Sequence, residues 1–151
     1  HTHTHTSLTA VMRASHLAKL VVVTGGTRGI GRAVAAELLT RGVDVAVTGR
    51  DQGKADAAAA ELTQANDGDA KAIGFALDVS NGDSVKAFAT ALATQYPQGP
   101  DALLNNAGVF LTHGQGLHNA DEDLVRSELS INTVGQLLVT NALLPALLAK
   151  R

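Results

Sequence analysis

The stretch LVVVTGGTRGIG, residues 20–31, decides the fold. Its apolar part, Leu20–Val23, is typical of a strand that is covered on both faces, as in a parallel sheet. A glycine-rich turn follows, after which Ile30, Val34 and Leu38 recur with helical spacing. Such a turn lets the backbone approach a diphosphate, and the helix start offers it free N–H groups and the positive end of the helix dipole. The stretch therefore predicts a phosphate-binding turn between a strand and a helix.

The rest of the sequence alternates strands and helices, which predicts βαβ units and a parallel sheet. The expected strands are Leu20–Thr24, Asp44–Thr48, Ala72–Leu77 and Ala102–Asn105. The expected helices are Gly29–Arg41 (stopped by Gly42), a helix from near Asp51 through Ala55–Leu62, Asn81–Gln95 (started by Ser80), and a helical stretch from about Asn119 to Leu148 with a break near Ser127.

Right-handed crossovers place these strands in the order three-two-one-four, with a ligand crevice between strands one and four. The predicted fold class is therefore α/β. It is a Rossmann-type doubly wound parallel sheet, truncated after the fourth strand and its following helix.

The composition fits one globular core, since 45% of the 151 residues are hydrophobic and 17% are charged. A net charge of −2 gives no reason to expect nucleic acid or an anionic membrane as a partner. No segment is expected to reach the ~20 apolar residues that a membrane-spanning helix needs. The absence of cysteine excludes disulfides and thiolate metal sites, and no metal site is predicted. Charged residues interrupt any secretory signal before Leu20, so we expect a cytoplasmic location.

Residues 1–11 stand apart from the predicted domain, which we place at 12–151. The repeat HTHTHT at residues 1–6 is expected to be an unstructured leader. Alternating histidines could instead bind a metal from one face of a strand, although nothing nearby supplies further ligands. A repeated CA dinucleotide encodes His-Thr, so one hypothesis is that residues 1–11 are untranslated leader read in frame, with Met12 as the natural start.

The end of the second strand indicates which dinucleotide is expected. An acidic residue there accepts hydrogen bonds from the adenosine ribose, whereas an arginine can hold a 2′-phosphate. Here Gly49 stands where an acid would repel that phosphate, and Arg50 follows it. Arg28, in the glycine turn, is a second cation that could reach the same group. These residues favour NADP over NAD.

Three motifs together resemble the short-chain dehydrogenase/reductase family. They are the turn Thr24-Gly25-x-x-x-Gly29-x-Gly31, the strand end Asn105-Asn106-Ala107-Gly108, and the segment Ile131-Asn132-Thr133-Val134-Gly135. The resemblance implies a nicotinamide dinucleotide held by the turn and the strand ends. The implied cofactor-binding residues are Gly25, Thr27, Arg28, Gly29, Ile30, Gly31, Arg50, Asp78, Val79, Asn106, Ala107 and Gly108.

The resemblance also implies individual roles. Asp78 would accept a hydrogen bond from the adenine amine, Asn106 would face the cofactor ribose, and Asn105 would tie neighbouring strands together. Asn132 would be catalytic, because in the family this asparagine holds a water that links the active-site Lys to solvent. A buried polar residue on an apolar helix must find partners. The alternative for Asn132 is therefore an asparagine that only bonds to nearby backbone.

The sequence departs from the family pattern after these motifs. The family has a Ser in the fifth strand and then a Tyr four residues before a Lys, whereas this sequence stops at Arg151. Its one tyrosine, Tyr96, has no Lys at the fourth following position, and His113 and His118 are lone loop histidines. We therefore expect a fragment that is itself inactive.

The resemblance implies that the parent protein is an NADP-dependent oxidoreductase, which transfers hydride between nicotinamide and a carbonyl or alcohol substrate. The full-length protein is expected to be a homo-oligomer, because in the family the last helix packs against another subunit. Two alternatives remain. One is a non-catalytic nucleotide-binding or interaction half-domain. The other is the nucleotide-sugar epimerase branch, which is disfavoured because its glycine turn is usually spaced G-x-x-G-x-x-G.

Overall fold

The computed structural model describes residues 19–113, 116 and 118–150. The expected leader and the proposed start at Met12 lie outside these residues. Within them, strands and helices alternate as the sequence predicts. The elements are β1 (Leu20–Val23), α1 (Gly29–Thr40), β2 (Asp44–Gly49), α2 (Gln52–Gln64), β3 (Ala72–Ala76), α3 (Gly82–Gln95), β4 (Ala102–Leu104), α4 (Glu122–Leu129), a π-helical turn (Ser130–Val134) and α5 (Gly135–Leu148).

The described strands form one parallel sheet in the order β3-β2-β1-β4. Val22 of β1 lies in register with Ala46 of β2 on one side and with Leu103 of β4 on the other. The predicted strand order is therefore confirmed, and so is the α/β Rossmann-type fold. All carboxyl ends of the strands lie at one edge of the sheet, which is where open α/β sheets bind ligands.

Helices cover both faces of the sheet, and each face has its own core. Leu20 and Val22 face the side of α3 and α5, where Phe88 and Val139 pack against them in one buried cluster. Val21 and Val23 alternate to the other side and pack with residues of α1 and α2 such as Leu39. Because both faces of β1 are buried, its sequence is apolar at every position instead of alternating.

The buried face of α1 is shifted by one position along the sequence from the predicted face. The expected face was Ile30, Val34 and Leu38, but the structure buries Gly31, Ala35 and Leu39. Small residues at two of these positions let the helix pack close to the sheet. Ile30 is instead 77% exposed.

Two predicted helix features are wrong in detail. The N-cap of α3 is Asn81, whose side chain accepts from the N–H groups of Asp83 and Ser84, whereas Ser80 donates its hydroxyl to Asp78. The predicted break near Ser127 is absent from the described helix. The helix instead continues through the π-helical turn at Ser130–Val134.

Glu122–Leu148 is therefore one helical stretch of 27 residues, and it is long and apolar enough to cross a membrane by length and composition. The expectation that no segment reaches this size is wrong for this stretch. Length and composition are the only criteria that it meets. Val139 and Leu143 pack in the core against the sheet, whereas only 17% of the apolar window in this stretch is buried.

Candidate functional site

An open cleft of about 680 Å³ lies at the carboxyl edge of the sheet. Eleven of the twelve predicted cofactor-binding residues line it. They are Gly25, Thr27, Arg28, Gly29, Ile30, Arg50, Asp78, Val79, Asn106, Ala107 and Gly108. Gly31 is the exception. The fold thus brings together, at one edge, residues from four separate stretches of the sequence.

Three of the four glycines in the turn have different physical roles. Gly25 and Gly29 have φ values of +66° and +58°, a left-handed conformation that favours glycine. A side chain on Gly25 would also lie 2.9 Å from the Cα atom of Ala107. Gly31 has no such φ, but a Cβ there would lie 2.6 Å from the carbonyl oxygen of Gly25 and collide with the Asn106 amide. Gly31 therefore serves the close packing of α1 against the strand ends.

The N-terminus of α1 lacks the side-chain cap that α2, α3 and α4 have. Asp51, Asn81 and Asp121 cap α2, α3 and α4. At α1 the cap position is Arg28, with no side-chain hydrogen bond and no acidic residue in the first turn. The first N–H groups of a helix have no partner within the helix. At α1, Gly29 and Ile30 line the cleft, so the helix N-terminus lies where it can bind an anion.

A buried threonine joins the ends of β1 and β4. The hydroxyl oxygen of Thr24 accepts from the N–H groups of Asn106 at 2.9 Å and Ala107 at 3.0 Å. In return, the Asn106 amide donates to the carbonyl oxygens of Thr24 at 2.9 Å and Gly25 at 3.2 Å. The strand-tying residue is thus Asn106. The expectation that Asn105 ties the strands is wrong, because its amide donates to the Thr140 hydroxyl of α5.

Three cations line the cleft beside Gly49. They are Arg28, Arg50 and Lys54, and all three are exposed. Sequence reasoning missed Lys54. It lies in the first turn of α2, where its N–H donates to the Asp51 cap at 2.8 Å. The sequence did contain a signal for Lys54. A cation in the first turn of a helix is unfavourable because of the helix dipole, so its presence there favours a functional role.

Asp78 and Val79 close β3 as the sequence predicts. The Oδ1 atom of Asp78 accepts from the Ser80 N–H at 3.0 Å and from the Ser80 hydroxyl at 2.7 Å. Val79 is buried in the core cluster that contains Val139 and also lines the cleft. These contacts fix the wall of the cleft at β3.

Asn132 is exposed, not buried as expected, and it lies within the π-helical turn. Its side-chain amide makes two hydrogen bonds to the backbone of Val109: it accepts from the Val109 N–H at 2.8 Å and donates to the Val109 carbonyl at 2.7 Å. Its oxygen also lies 3.2 Å from where a Cβ on Gly108 would be. Val109 and Ile131 line the cleft although neither was predicted as a cofactor-binding residue, whereas Asn132 is not among the lining residues. Single π-helical turns inside helices are frequent at functional sites.

A sequence model described as short chain dehydrogenase matches residues 19–151. The chain belongs to the short-chain dehydrogenase family.

Relatives within the short-chain dehydrogenase family agree with this assignment. The chain is 37% identical over 135 residues to the mouse protein named retinol dehydrogenase 14, covering 83% of this chain and 39% of the mouse protein. It therefore spans about two-fifths of that relative's length. A metagenomic short-chain oxidoreductase solved in complex with NADP is 34% identical, with a TM-score of 0.76 over 87% of this chain and 57% of that one. A 3-oxoacyl-[acyl-carrier protein] reductase from Brucella melitensis, solved with NAD, is 28% identical, with a TM-score of 0.78 over 89% of this chain and 51% of that one.

The one tyrosine of the chain, Tyr96, lies away from the cleft. Tyr96 follows α3, packs against the core, and lines a separate apolar groove with Pro97 and Ala146. Burial raises the pKa of Tyr96, and the nearby charge of Asp44 raises it further. Asp44 begins β2, so Tyr96 lies toward the amino edge of the sheet, opposite the cleft. It therefore does not supply a proton in the cleft.

Proposed function

We propose that the cleft binds NADP(H) and that Arg28, Arg50 and Lys54 surround its 2′-phosphate. The observation that carries this proposal is the set of three exposed cations around Gly49, a position that has no carboxylate. Arginine offers a phosphate both charge and a planar fork of N–H donors. The metagenomic relative solved with NADP supports this choice, and the Brucella relative solved with NAD makes NAD the alternative.

The remaining parts of the dinucleotide fit the other walls. The uncapped N-terminus of α1 at Gly29 and Ile30 suits the diphosphate. Asp78 has its described hydrogen bonds on Oδ1, so its other oxygen suits the adenine amine, and Val79 offers an apolar wall beside the ring. Asn106, Ala107 and Gly108 form the wall where the second ribose and the nicotinamide would lie.

The activity that we propose is hydride transfer between the nicotinamide and a carbonyl or alcohol substrate. When bound, the cofactor supplies or accepts the hydride. The chain's own residues would orient it: the turn would bind the diphosphate, and the hydrogen bonds between Thr24 and Asn106 hold the strand ends together. The name retinol dehydrogenase on the mouse relative supports an alcohol or carbonyl substrate. Asn132 is proposed to support catalysis by positioning the cleft wall at Gly108 and Val109, because its amide oxygen and nitrogen both bind the Val109 backbone.

Nucleotide binding by this chain tests the proposal. We expect calorimetry to give tighter binding of NADPH than of NADH. Arg50→Ala should weaken NADPH binding about tenfold, the lower range for a hydrogen bond to a charged group, and leave NADH binding unchanged. Arg41→Ala is the matched control, because Arg41 is an exposed arginine at the far end of α1 that pairs with Glu37. Equal affinities for the two nucleotides, or equal losses of both in Arg50→Ala, would contradict the proposal.

A further inference from the structure

Glu128 of α4 binds the backbone of the loop that follows the cleft wall. Its Oε1 atom accepts from the N–H groups of Leu111 and Thr112, the latter at 3.0 Å, and its Oε2 atom accepts from the Thr112 hydroxyl at 2.9 Å. The Thr112 N–H lowers the pKa of Glu128 most. Burial opposes this effect, but the Thr112 hydroxyl, the Leu111 N–H and the charge of His113 add to it. The carboxylate is therefore ionised at neutral pH and uses both oxygens on this one loop.

Glu128 is the last of three side chains that bind the same loop from one face of the helix. Gln136 donates to the Ala107 carbonyl, and Asn132 binds Val109. Residues later in the loop are therefore bound by residues earlier in the helix. The three positions are four residues apart. In a regular α-helix each such step turns about 40° past a full turn. The wider π-helical turn at Ser130–Val134 offsets that drift and keeps the three side chains in line.

The segment that Glu128 holds carries the rings of Phe110 and His113. Phe110 is 71% exposed, and its ring centre lies 5.8 Å from that of His113. Val109, the preceding residue, lines the cleft. Asn132 fixes the loop only before Phe110, and without Glu128 the described contacts would leave the backbone after Phe110 free to turn.

We propose that Glu128 is a positioning residue, which fixes the loop at Leu111 and Thr112 and so aims the ring of Phe110 at the mouth of the cleft. Phe110 then forms an apolar wall for the part of the substrate that lies outside the cofactor site. Glu128 itself does not line the cleft, so it acts only through the loop. This substrate role rests on the proposed function, whereas the fixing of the loop can be measured without it.

Amide hydrogen exchange measured by NMR tests the fixing of the loop. In Glu128→Ala, the amides of Leu111 and Thr112 should exchange about tenfold faster, because they lose an ionised acceptor. The amide of Val109 should stay protected, since Asn132 still holds it. Glu128→Gln should restore most of the protection, because its amide oxygen can accept from both N–H groups while its NH2 donates to the Thr112 hydroxyl.

The matched control is Glu122→Ala, which removes an exposed carboxylate from the same helix, where it pairs with Arg126. This control should leave the loop amides unchanged. The proposal is overturned if Leu111 and Thr112 exchange at the same rate in Glu128→Ala as in the unchanged chain. It is also overturned if amides of the sheet, such as that of Val22, accelerate equally, because the effect would then be a general loss of stability.

A fluorescence measurement tests the aim of the Phe110 side chain. The chain has no tryptophan, so Phe110→Trp places a single indole on the loop, whose emission overlaps the absorption of NADPH. Saturating NADPH should quench this emission, and the quenching should be smaller in the double variant with Glu128→Ala at an unchanged Kd. Equal quenching in both would overturn the positioning role. If NADPH binds neither variant, the proposed function fails, and the exchange experiment still decides the role of Glu128.

Discussion

Gly49 is the residue at which cofactor choice can be tested most directly. A Cβ placed there would lie 2.7 Å from the Thr27 methyl group. Gly49→Ala and Gly49→Asp therefore both displace the Thr27 side chain, but only the aspartate adds a negative charge beside Arg50. We expect Gly49→Asp to weaken NADPH binding about tenfold relative to Gly49→Ala, a modest effect for two like charges near a protein surface. NADH binding should be at least as tight in Gly49→Asp as in Gly49→Ala, because the aspartate can accept hydrogen bonds from the adenosine ribose.

Calorimetric titration of both variants with both nucleotides provides the measurement. If the aspartate variant binds NADPH as tightly as the alanine variant does, the 2′-phosphate does not lie beside Gly49. Comparing the two variants with each other cancels the steric effect on Thr27, because both carry a Cβ at position 49. The sequence alone could not reveal this steric effect. Neighbours of Gly49 in space, such as Thr27, are known only once the turn and the strand end are brought together.

At the level of elements, the joining of β1 to β4 through Thr24 is the contact with the clearest energetic consequence. Thr24 is fully buried and its hydroxyl accepts from two N–H groups, those of Asn106 and Ala107. Thr24→Val keeps the shape but leaves both donors without an acceptor, at a cost of about 3 kcal/mol in unfolding free energy. Urea denaturation measures this loss. Thr94→Val, on the exposed side of α3, should change stability by less than about 0.5 kcal/mol. Equal stabilities of the two variants would mean that water replaces the Thr24 hydroxyl.

The same elements mark how far sequence reasoning reaches. The strands and their order follow from apolar runs and the handedness of crossovers, and these agree with the structure. The buried face of α1 was misplaced by one residue, because Ile30 counts as apolar although the cleft leaves it exposed. The π-helical turn was also missed. Asn132 within this turn binds Val109, a contact across 23 positions that no local pattern encodes.

At the scale of the whole molecule, one carboxylate joins distant parts of the chain. Asp101 accepts from the N–H groups of Lys19 and Leu20 at 2.9 and 2.8 Å, and from the Lys150 ammonium group at 2.8 Å. Burial acts to raise the pKa of Asp101. The hydrogen bonds from Lys150, Leu20 and Lys19, together with the Lys150 charge, outweigh it and lower the pKa below the ordinary 3.8. The start of β1 and the end of α5 are thus held at one point.

The lowered pKa of Asp101 predicts how stability depends on pH. Because the folded state binds this proton less readily than the unfolded state, the stabilisation is complete above the ordinary aspartate pKa of 3.8 and is lost as the pH falls through the lower folded value. Asp101→Asn should cost about 1–2 kcal/mol at pH 7 and should flatten this acid dependence. Asp83→Asn is the control, since Asp83 is exposed and pairs only loosely with Lys86 at 3.5 Å. If the free energy of unfolding falls equally with decreasing pH in the unchanged chain and in Asp101→Asn, Asp101 does not have this role.

The exposed apolar residues of the helical stretch Glu122–Leu148 predict that copies of the chain associate. Five of its apolar residues are between 41% and 59% exposed, namely Leu129, Val134, Leu137, Leu144 and Leu148. Leu138, which follows Leu137, instead packs against the core. Several large apolar side chains exposed on one helix are typical of an interaction surface. We therefore expect the chain to self-associate through this helix, in agreement with the homo-oligomer expected from its family.

Sedimentation velocity over a range of concentrations checks this association. The unchanged chain should shift to larger species as concentration rises, whereas the double variant Leu137→Gln, Leu144→Gln should remain monomeric. Ile30→Gln removes an exposed apolar side chain from the cleft mouth and should behave like the unchanged chain. Because Glu122–Leu148 also has the length and composition of a membrane span, flotation with lipid vesicles distinguishes the two uses of the helix. An unchanged chain that stays monomeric at every concentration would exclude self-association. If it then floats with vesicles, the apolar face binds lipid and not a second copy of the chain.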